Sequence, residues 1–412
     1  MMSTMPELSD RWAVDSSLEG MSSELPLPGE GLRVAHVLWG RCNPESANGV
    51  DKSVYFLSMH QARLGADVAV FSISDKEPLP IPGVEVLAFP STVRTSLGFR
   101  LPFAPKLLTR ELLAWRPDVV HLHSLHIGPF VGLGRRLNRE GILYVVTPHG
   151  ALAPARLSKA GYPVQAYLRT VERGYLRHAA FVHAVGSTDV AGVRAIKLRT
   201  RVVLVQNGID ITSVPCHVEE GLLAREFPQL AGRRVLLFLG RLDPDPKGLD
   251  ILLEGLARCD ISGLSLVMVG PDVGGSTLRI RMLIDRLGLA QTVLLLGPAY
   301  GEKKWAYLAS ADVFVHSSRR EAAIPFSVME ALAAGRPMLL CRPADPEGAV
   351  EEAGAGIVVD PTVDGVCAGL KRVIDADQAA LHAMGRAAQD LAKHFDWSRS
   401  AGDLLEAYRA QY

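Results

Sequence analysis

The sequence predicts an α/β protein of two doubly wound, Rossmann-like parallel-sheet domains in tandem, facing a central cleft. Three observations carry that prediction. Short, β-branched runs without clean polar alternation recur along the chain, as in parallel strands buried on both faces. Helical patterns fall between them, so strands and helices alternate. The alternation then restarts near residue 233, after a stretch punctuated by Gly208, Pro215, Gly221, Pro228 and Gly232. At 412 residues the chain has room for two or three domains.

In order, residues 1–30 are rich in Ser, Pro, Glu and Met, lack periodicity, and read as a disordered tail. The first domain, 31–212, has strand candidates RVAHVL (33–38), DVAVFS (67–72), VEVLAF (84–89), DVVHLH (118–123), LYVVT (143–147), FVHAV (181–185) and VVLV (202–205). Helical patterns occupy 50–64, 106–115, 163–177 and 187–196. Residues 213–232 read as a linker. The second domain, 233–395, has strands VLLFLG (235–240), LSLVMVG (264–270), VLLLG (293–297), DVFVHS (312–317) and PMLLC (337–341). Its helices fall near 248–258, 275–287, 302–309, 326–334 and 377–394. A last helix follows at 398–410, opened by Asp396, Trp397 and Ser398. Ligands of open α/β sheets bind at the carboxyl ends of the strands, which places the site between the domains.

Composition narrows the function. With 48% hydrophobic and 21% charged residues the chain suits a well-buried core. Five scattered cysteines without a C-x-x-C pair argue against a disulfide framework and for a reducing compartment. No basic-then-apolar leader opens the chain, and no apolar run reaches the ~20 residues that span a bilayer. The expected location is cytoplasmic, with a peripheral place at the inner face of the membrane open. The zero net charge hides segregation: 31–212 carry 22 Lys and Arg against 12 acids, whereas 213–412 carry 21 against 26. A basic domain can face phosphates or an anionic bilayer. Nucleic acid is not expected, because aromatics are only 6% and no recognition module is present.

The stretch GRLDPDPKGLD (240–250) poses the main chemical question. Asp243-Pro244-Asp245 has the D-x-D spelling of a metal site that holds a diphosphate. Yet Arg241 and Lys247 flank it at a strand's carboxyl end, and two cations neutralise a diphosphate directly. The aspartates then read as turn residues, or as partners that hold Arg241 and Lys247. In SSRREAAIPFSVMEALAAG (317–335) a loop with Glu321 leads to a helix start at Pro325, Phe326 and Ser327, whose unpaired amides suit an anion. Glu330, one to two turns in, suits a ribose diol, and a capping role is the plainer alternative. TPHG (147–150) puts His149 in a turn at a strand's carboxyl end, where it either contacts a reacting sugar or is structural. In NPESANGVDKS (43–53), Gly49 opens a helix and lets a ligand approach the backbone. HLHSLH (121–126) has His121 and His123 on one strand face with His126 beyond. It reads as a metal cluster or, more simply, as cleft lining.

These residues together resemble a GT-B glycosyltransferase of family 4. The resemblance rests on PDVVHLHS (117–124), TPHG, VQNGID (205–210), GRLDPDPKGLD, VMVGP (267–271), ADVFVHSSRREAAIPFSVMEALAAGRP (311–337) and FDWSRSAGDLLEAY near the C-terminus, and runs from about residue 31 to the end. It implies a nucleoside diphosphate sugar held by the second domain and a glycan or polyprenyl-linked acceptor held by the first. It also implies retention of configuration and no cofactor or metal. By this resemblance Arg241 and Lys247 contact the diphosphate, Glu330 the ribose, Glu321 the donor sugar, and His149 lies beside the reaction centre. Gly49 shapes the loop facing the diphosphate. The final helix, from about 396, returns to the first domain. One departure stands out: eight residues separate Glu321 from Glu330 where the family has seven, and Ala322 replaces the glycine usual after the first glutamate.

The expected activity is transfer of a hexose in envelope or exported polysaccharide synthesis, with a non-catalytic nucleotide-sugar-binding homologue as the alternative. An NAD-dependent enzyme is disfavoured because no G-x-G-x-x-G follows the first strand. Basic stretches with Arg94, Arg100, Lys106, Arg110 and Arg116, and with Arg156, Lys159, Arg169, Arg173 and Arg177, could rest on anionic lipid.

Overall fold

The computed structural model describes residues 27–46, 48–91, 100–215, 218–259 and 262–412. Arg94, Phe99, Cys216 and most of the expected tail lie outside the described residues. Seven strands form the first sheet: β1 (Arg33–Leu38), β2 (Asp67–Ile73), β3 (Glu85–Phe89), β4 (Val119–His123), β5 (Leu143–Thr147), β6 (Phe181–Ala184) and β7 (Val202–Leu204). Six form the second: β8 (Arg234–Leu239), β9 (Leu264–Val269), β10 (Val293–Leu296), β11 (Val313–His316), β12 (Met338–Cys341) and β13 (Gly356–Val359). The orders are β3-β2-β1-β4-β5-β6-β7 and β10-β9-β8-β11-β12-β13, and the strands within each sheet run parallel. Each order reverses where the first strand of its sheet meets the fourth (β1 beside β4, β8 beside β11). Those are the two switch points where crevices open at the carboxyl ends.

The hydrophobic runs are long because each strand feeds two cores. In β8, Val235, Leu237 and Leu239 pack into one core while Leu236 and Phe238 pack into another. In the first sheet the alternation is the same, but one face changes character along the strands. Val34, Val119, Val145 and Phe181 make its lower half apolar. Nearer the carboxyl ends that face carries His36, His121, His123, Thr147 and His183, all buried. Two helices cover it, Gly49–Arg63 and the closing helix Trp397–Arg409, which pack against each other. The chain returns to the first domain at Trp397, which stacks on Phe56 of that domain and on Phe326 of the second.

Several elements depart from expectation. Gly128–Glu140 is a helix although it opens Gly-Pro and holds further glycines. Close packing explains them: a Cβ at Gly132 would lie 2.3 Å from the Phe103 backbone. Strand β13 and the helix Val363–Asp375 were also unforeseen. The pattern at 163–177 becomes Tyr162–Tyr167, a π turn Leu168–Glu172 and Arg173–His178, and the π turn buries Glu172. Residues 27–30, expected in the tail, are held on the first domain, with Gly29 N–H donating to Leu64 O at 2.9 Å. Leu222, Leu223 and Leu230, within the expected linker, pack into a second-domain core. Cys259 and Cys367 pair as a disulfide between two neighbouring helices. Their separation of 108 residues hid them from a reading based on local spacing.

Candidate active site

The second domain supplies the wall that carries Arg241 and Lys247. Strand β8 ends at Leu239 and the loop turns through Arg241 into the short helix Pro244–Lys247. Gly248 ends that helix at φ 60°, where a Cβ would lie 2.1 Å from Ser317 O. The β8 and β11 loops therefore lie backbone to backbone. Ser317 Oγ donates to Lys247 O at 2.9 Å, and Arg319 N–H donates to Pro246 O at 3.1 Å. Lys247 Nζ meets Glu321 Oε1 at 2.6 Å, and Ser318 Oγ donates to the same oxygen. Arg241 lines the cleft with no ion pair among the described residues.

The aspartates of D-P-D take the plainer place read for them, in the turn: Asp243 sits at the N-cap of the helix Pro244–Lys247 and Asp245 in its first turn. Asp245 pairs with Arg320, so it does not hold Arg241 or Lys247. Neither Asp243 nor Asp245 lines the cavity that contains Arg241 and Lys247. Arg319 forks onto Asp250 at 2.6 and 2.8 Å.

Helix Phe326–Ala333 begins at Pro325 without a side-chain cap. Pro325, Phe326, Ser327 and Glu330 line the same cavity as Arg241, Lys247 and Gly49, about 680 Å³ in volume. The amides of Phe326 and Ser327 have no intrahelical partner, as at any helix start. Glu330 is almost fully buried, and its Oε1 accepts from Lys52 Nζ at 2.9 Å and Lys304 Nζ at 3.1 Å. Burial opposes its ionisation, but the two lysines overcome burial and hold the carboxyl below its ordinary value. Lys304, itself buried, also meets Glu45 at 3.4 Å. Lys52 and Lys304 are the cleft residues that sequence reasoning missed. A lone lysine in a helical pattern has no spelling that separates it from a solvated one.

Glu321 reaches Lys247 despite the extra residue before Glu330. The loop brings Ala322 and Ala323 against the first domain instead. A Cβ on Gly150 would come within 2.6 Å of Ala322 Cβ, and one on Gly186 within 2.3 Å of Ala322 O. Thr188 Oγ1 donates to Glu321 O at 3.4 Å, and Ser187 N–H to Glu347 at 2.9 Å. The domains thus close on each other beside Glu321.

His149 faces Glu321 from the first domain, lining both this cavity and an adjoining one of about 960 Å³. It holds φ 49° in a turn whose next residue, Gly150, holds φ 77°. Buried Asp189 fixes that turn by accepting from the amides of Gly150 and Val185. The second cavity is lined by Arg100, Arg156, Lys159, Arg319, Arg320 and the phenol of Tyr167, whose oxygen is buried without a partner.

His121 and His123 do not line the cleft as the simpler reading had it. They lie behind it, fully buried, and of the three histidines only His126 reaches the cavities, beside Ser124 and Leu125. His126 also meets buried Glu172 at 2.9 Å. Among the described residues the group with metal-ligand geometry is His36, His121 and His123. All six of its ring nitrogens already have protein hydrogen-bond partners. The layer was legible in part, because β1, β4 and β6 each carry a histidine among apolar residues.

Two family profiles match the chain. Glycosyltransferase Family 4 covers residues 47–213, and Glycosyl transferases group 1 covers 224–391. A GDP-mannose-dependent alpha-mannosyltransferase of Mycobacterium tuberculosis is 30% identical over 320 residues, 75% of this chain and 79% of the relative. A D-inositol 3-phosphate glycosyltransferase of Segniliparus rotundus is 28% identical over 401 residues, 90% of this chain and 86% of the relative. Among solved structures, sucrose-phosphate synthase from Thermosynechococcus elongatus superposes with a TM-score of 0.75 at 19% identity, over 92% of this chain and 98% of that one. Anabaena HepE, solved with UDP and glucose, gives 0.72 at 18%, over 92% and 100%.

Proposed function

The chain belongs to glycosyltransferase family 4 and is a nucleotide-sugar-dependent glycosyltransferase of GT-B fold, and from that premise we propose that it moves a hexose from a nucleoside diphosphate sugar to a glycan or lipid-linked acceptor, with retention and without a metal. One observation carries the reading. Arg241, Lys247 and the open start of helix Phe326–Ala333 line a single cavity, with Glu330 one turn deeper. The leaving diphosphate gathers charge as the sugar C1–O bond breaks. Preorganised cations and amides stabilise that charge in a site shielded from water. The acceptor oxygen bonds to C1 on the face the diphosphate leaves, and its proton passes to a phosphate oxygen. Arg241 and Lys247 would supply the charge that a divalent cation supplies elsewhere.

The acceptor would enter from the adjoining cavity. Arg319 and Arg320 there are already paired with Asp250 and Asp245. Arg100, Arg156 and Lys159 have no such pairs among the described residues, and they favour an acceptor with an anionic group. Close by, Leu101, Phe103, Leu107 and Tyr162 are exposed large hydrophobic residues, which supports a peripheral place on anionic lipid in envelope or exported polysaccharide synthesis. No helix among the described residues is long and apolar enough to cross a membrane.

The test is thermal stabilisation by UDP, GDP and ADP, each with magnesium and with EDTA, followed by incubation with the matching hexose donors. Stabilisation by one nucleotide that survives EDTA, with sugar transfer, supports the reading. A shift that needs magnesium overturns the metal-independent mechanism. Binding without transfer across a broad acceptor panel leaves a nucleotide-sugar-binding homologue. Co-sedimentation with anionic vesicles at low salt tests the membrane contact, and its absence ends that part.

A further inference from the structure

His316 ends β11 and is the one histidine in the strands of the second sheet. It is 1% exposed and lies beside Phe238 and Phe314, with ring centroids 5.8 and 6.4 Å away. Both of its ring nitrogens are buried, and neither has a hydrogen-bond partner among the described residues. A neutral imidazole still carries one N–H. A buried donor left unpaired is costly, and a leucine or phenylalanine would fill the same apolar place without that cost. The chemistry proposed above gives this ring no task.

Its charged neighbours are Glu321 and Lys247. His316 Nε2 lies 3.8 Å from Glu321 Oε1, too far for a hydrogen bond. That oxygen is already taken, by Lys247 Nζ at 2.6 Å and Ser318 Oγ at 2.5 Å. Burial, and then the charge of Lys247, keep the imidazole neutral. The two residues after His316 hold the same pair: Ser318 donates to Glu321, and Ser317 Oγ donates to Lys247 O at 2.9 Å. Glu321 is mostly buried, its side chain 16% exposed, so its carboxylate needs a partner whenever Lys247 draws away. A closing shift of about 1 Å puts His316 Nε2 at hydrogen-bonding distance.

We propose that His316 is a positioning residue for Glu321: as Lys247 turns to the diphosphate, His316 Nε2–H closes on Glu321 Oε1 and, with Ser318, holds the carboxylate in place. His316 lines neither cavity and acts only through Glu321. A neutral donor suits this task. It steadies the carboxylate without adding a cation that would compete with Arg241 and Lys247 for the diphosphate. The departure of Lys247 rests on the function proposed above, while the readiness of His316 to take Glu321 does not.

The experiment is two-dimensional ¹H–¹⁵N NMR of the full chain labelled at histidine, with His316 assigned by His316→Phe. Wild type without nucleotide should show His316 with its proton on Nε2, at the shift of an N–H outside a hydrogen bond. Lys247→Met removes the competing partner with no ligand present and should move that proton downfield. Lys247→Ala gives the same reading if Lys247→Met does not fold. Adding Glu321→Ala should abolish the shift. In wild type, UDP, GDP or ADP should reproduce it, whichever binds. His316→Phe should lower kcat about tenfold, the size of one hydrogen bond to a charged group, with the nucleotide KM unchanged. His316→Gln, which keeps a side-chain N–H, should recover part of that loss. A wild-type proton on Nδ1, or an Nε2 proton unmoved when Lys247 is replaced, overturns the proposal. A shift in Lys247→Met with none on binding nucleotide supports the His316–Glu321 contact and overturns the place given to Lys247 on the diphosphate.

Discussion

Lys52 and Glu330, 278 residues apart, meet across the cleft at 2.9 Å. Lys52 belongs to the first helix of the first domain, and Glu330 to the helix that opens toward the cavity of Arg241 and Lys247. The pair is mostly buried and shares its carboxylate oxygen with Lys304, which comes from the second domain. The two lysines therefore have separable tasks. Lys304 neutralises Glu330 within its own domain, and Lys52 ties that charge to the opposite wall.

Replacing the lysines should separate those tasks. Breaking a buried ion pair from one side costs about 3–5 kcal/mol when no other partner remains, and here one lysine stays in each variant. Lys304→Met should therefore lower the melting temperature. Lys52→Met should leave the melting temperature closer to wild type and lower kcat/KM about tenfold, through a weaker closed state. Equal effects of the two variants on stability would show that Lys52 is merely part of the second-domain charge balance.

Lys247→Ala should lower kcat by about 10²-fold or more, as for other groups that stabilise transition-state charge. The variant also strips Glu321 of its partner at 2.6 Å. Lys247→Ala combined with Glu321→Gln separates the two causes. If the unpaired carboxylate repels the diphosphate, the double variant recovers nucleotide affinity but not kcat. Unchanged turnover in Lys247→Ala would remove Lys247 from the proposed machinery.

The histidine layer predicts acid lability. Burial, above all, holds His36 and His183 near 4 and His149 near 3, and keeps His121 and His123 well below the ordinary value. An unfolded chain takes up these protons below about pH 6.5 while the folded chain refuses them. Their contribution is therefore complete above about 6.5 and falls as pH drops toward 4, by about 1.4 kcal/mol per pH unit for each proton of difference. Asp189, pushed up to about 6 by burial, acts in the opposite sense, as do Asp51, Asp345 and Glu347, which burial also raises, but His60 and His316, lowered by burial, add to the five imidazoles. The urea midpoint should drop steeply between pH 6.5 and 4.5. A flat midpoint over that range would mean the layer is hydrated and already titrating.

How far the sequence exposes this site depends on what kind of signal each residue leaves. Arg241, Lys247, His149 and the helix start at Pro325 follow strand ends, so their places could be read from the alternation of β and α. Glu321 could be placed only by the loop fold, because a one-residue change in spacing has no local cost that composition reveals. Lys52 and Lys304 left no signal. Their partners are set by how separate elements pack, and Lys52 reaches Glu330 from 278 residues away. Helix Gly128–Glu140 was hidden for a related reason, since its glycines are demanded by neighbours and oppose its local propensity.

The contact between Gly150 and Ala322 gives the sharpest steric prediction. At φ 77° any side chain is strained by about 1–2 kcal/mol, and a Cβ there would come within 2.6 Å of Ala322 Cβ. Gly150→Ala should therefore impair both the turn that carries His149 and closure of the domains. Ala322→Gly removes the clash but not the backbone strain. The double variant should recover the donor KM while kcat stays depressed, because the turn still disturbs His149. Full recovery of kcat would show that the collision alone was at fault and that the His149 turn tolerates a side chain. No recovery of either constant would mean that the two loops do not approach this closely during turnover.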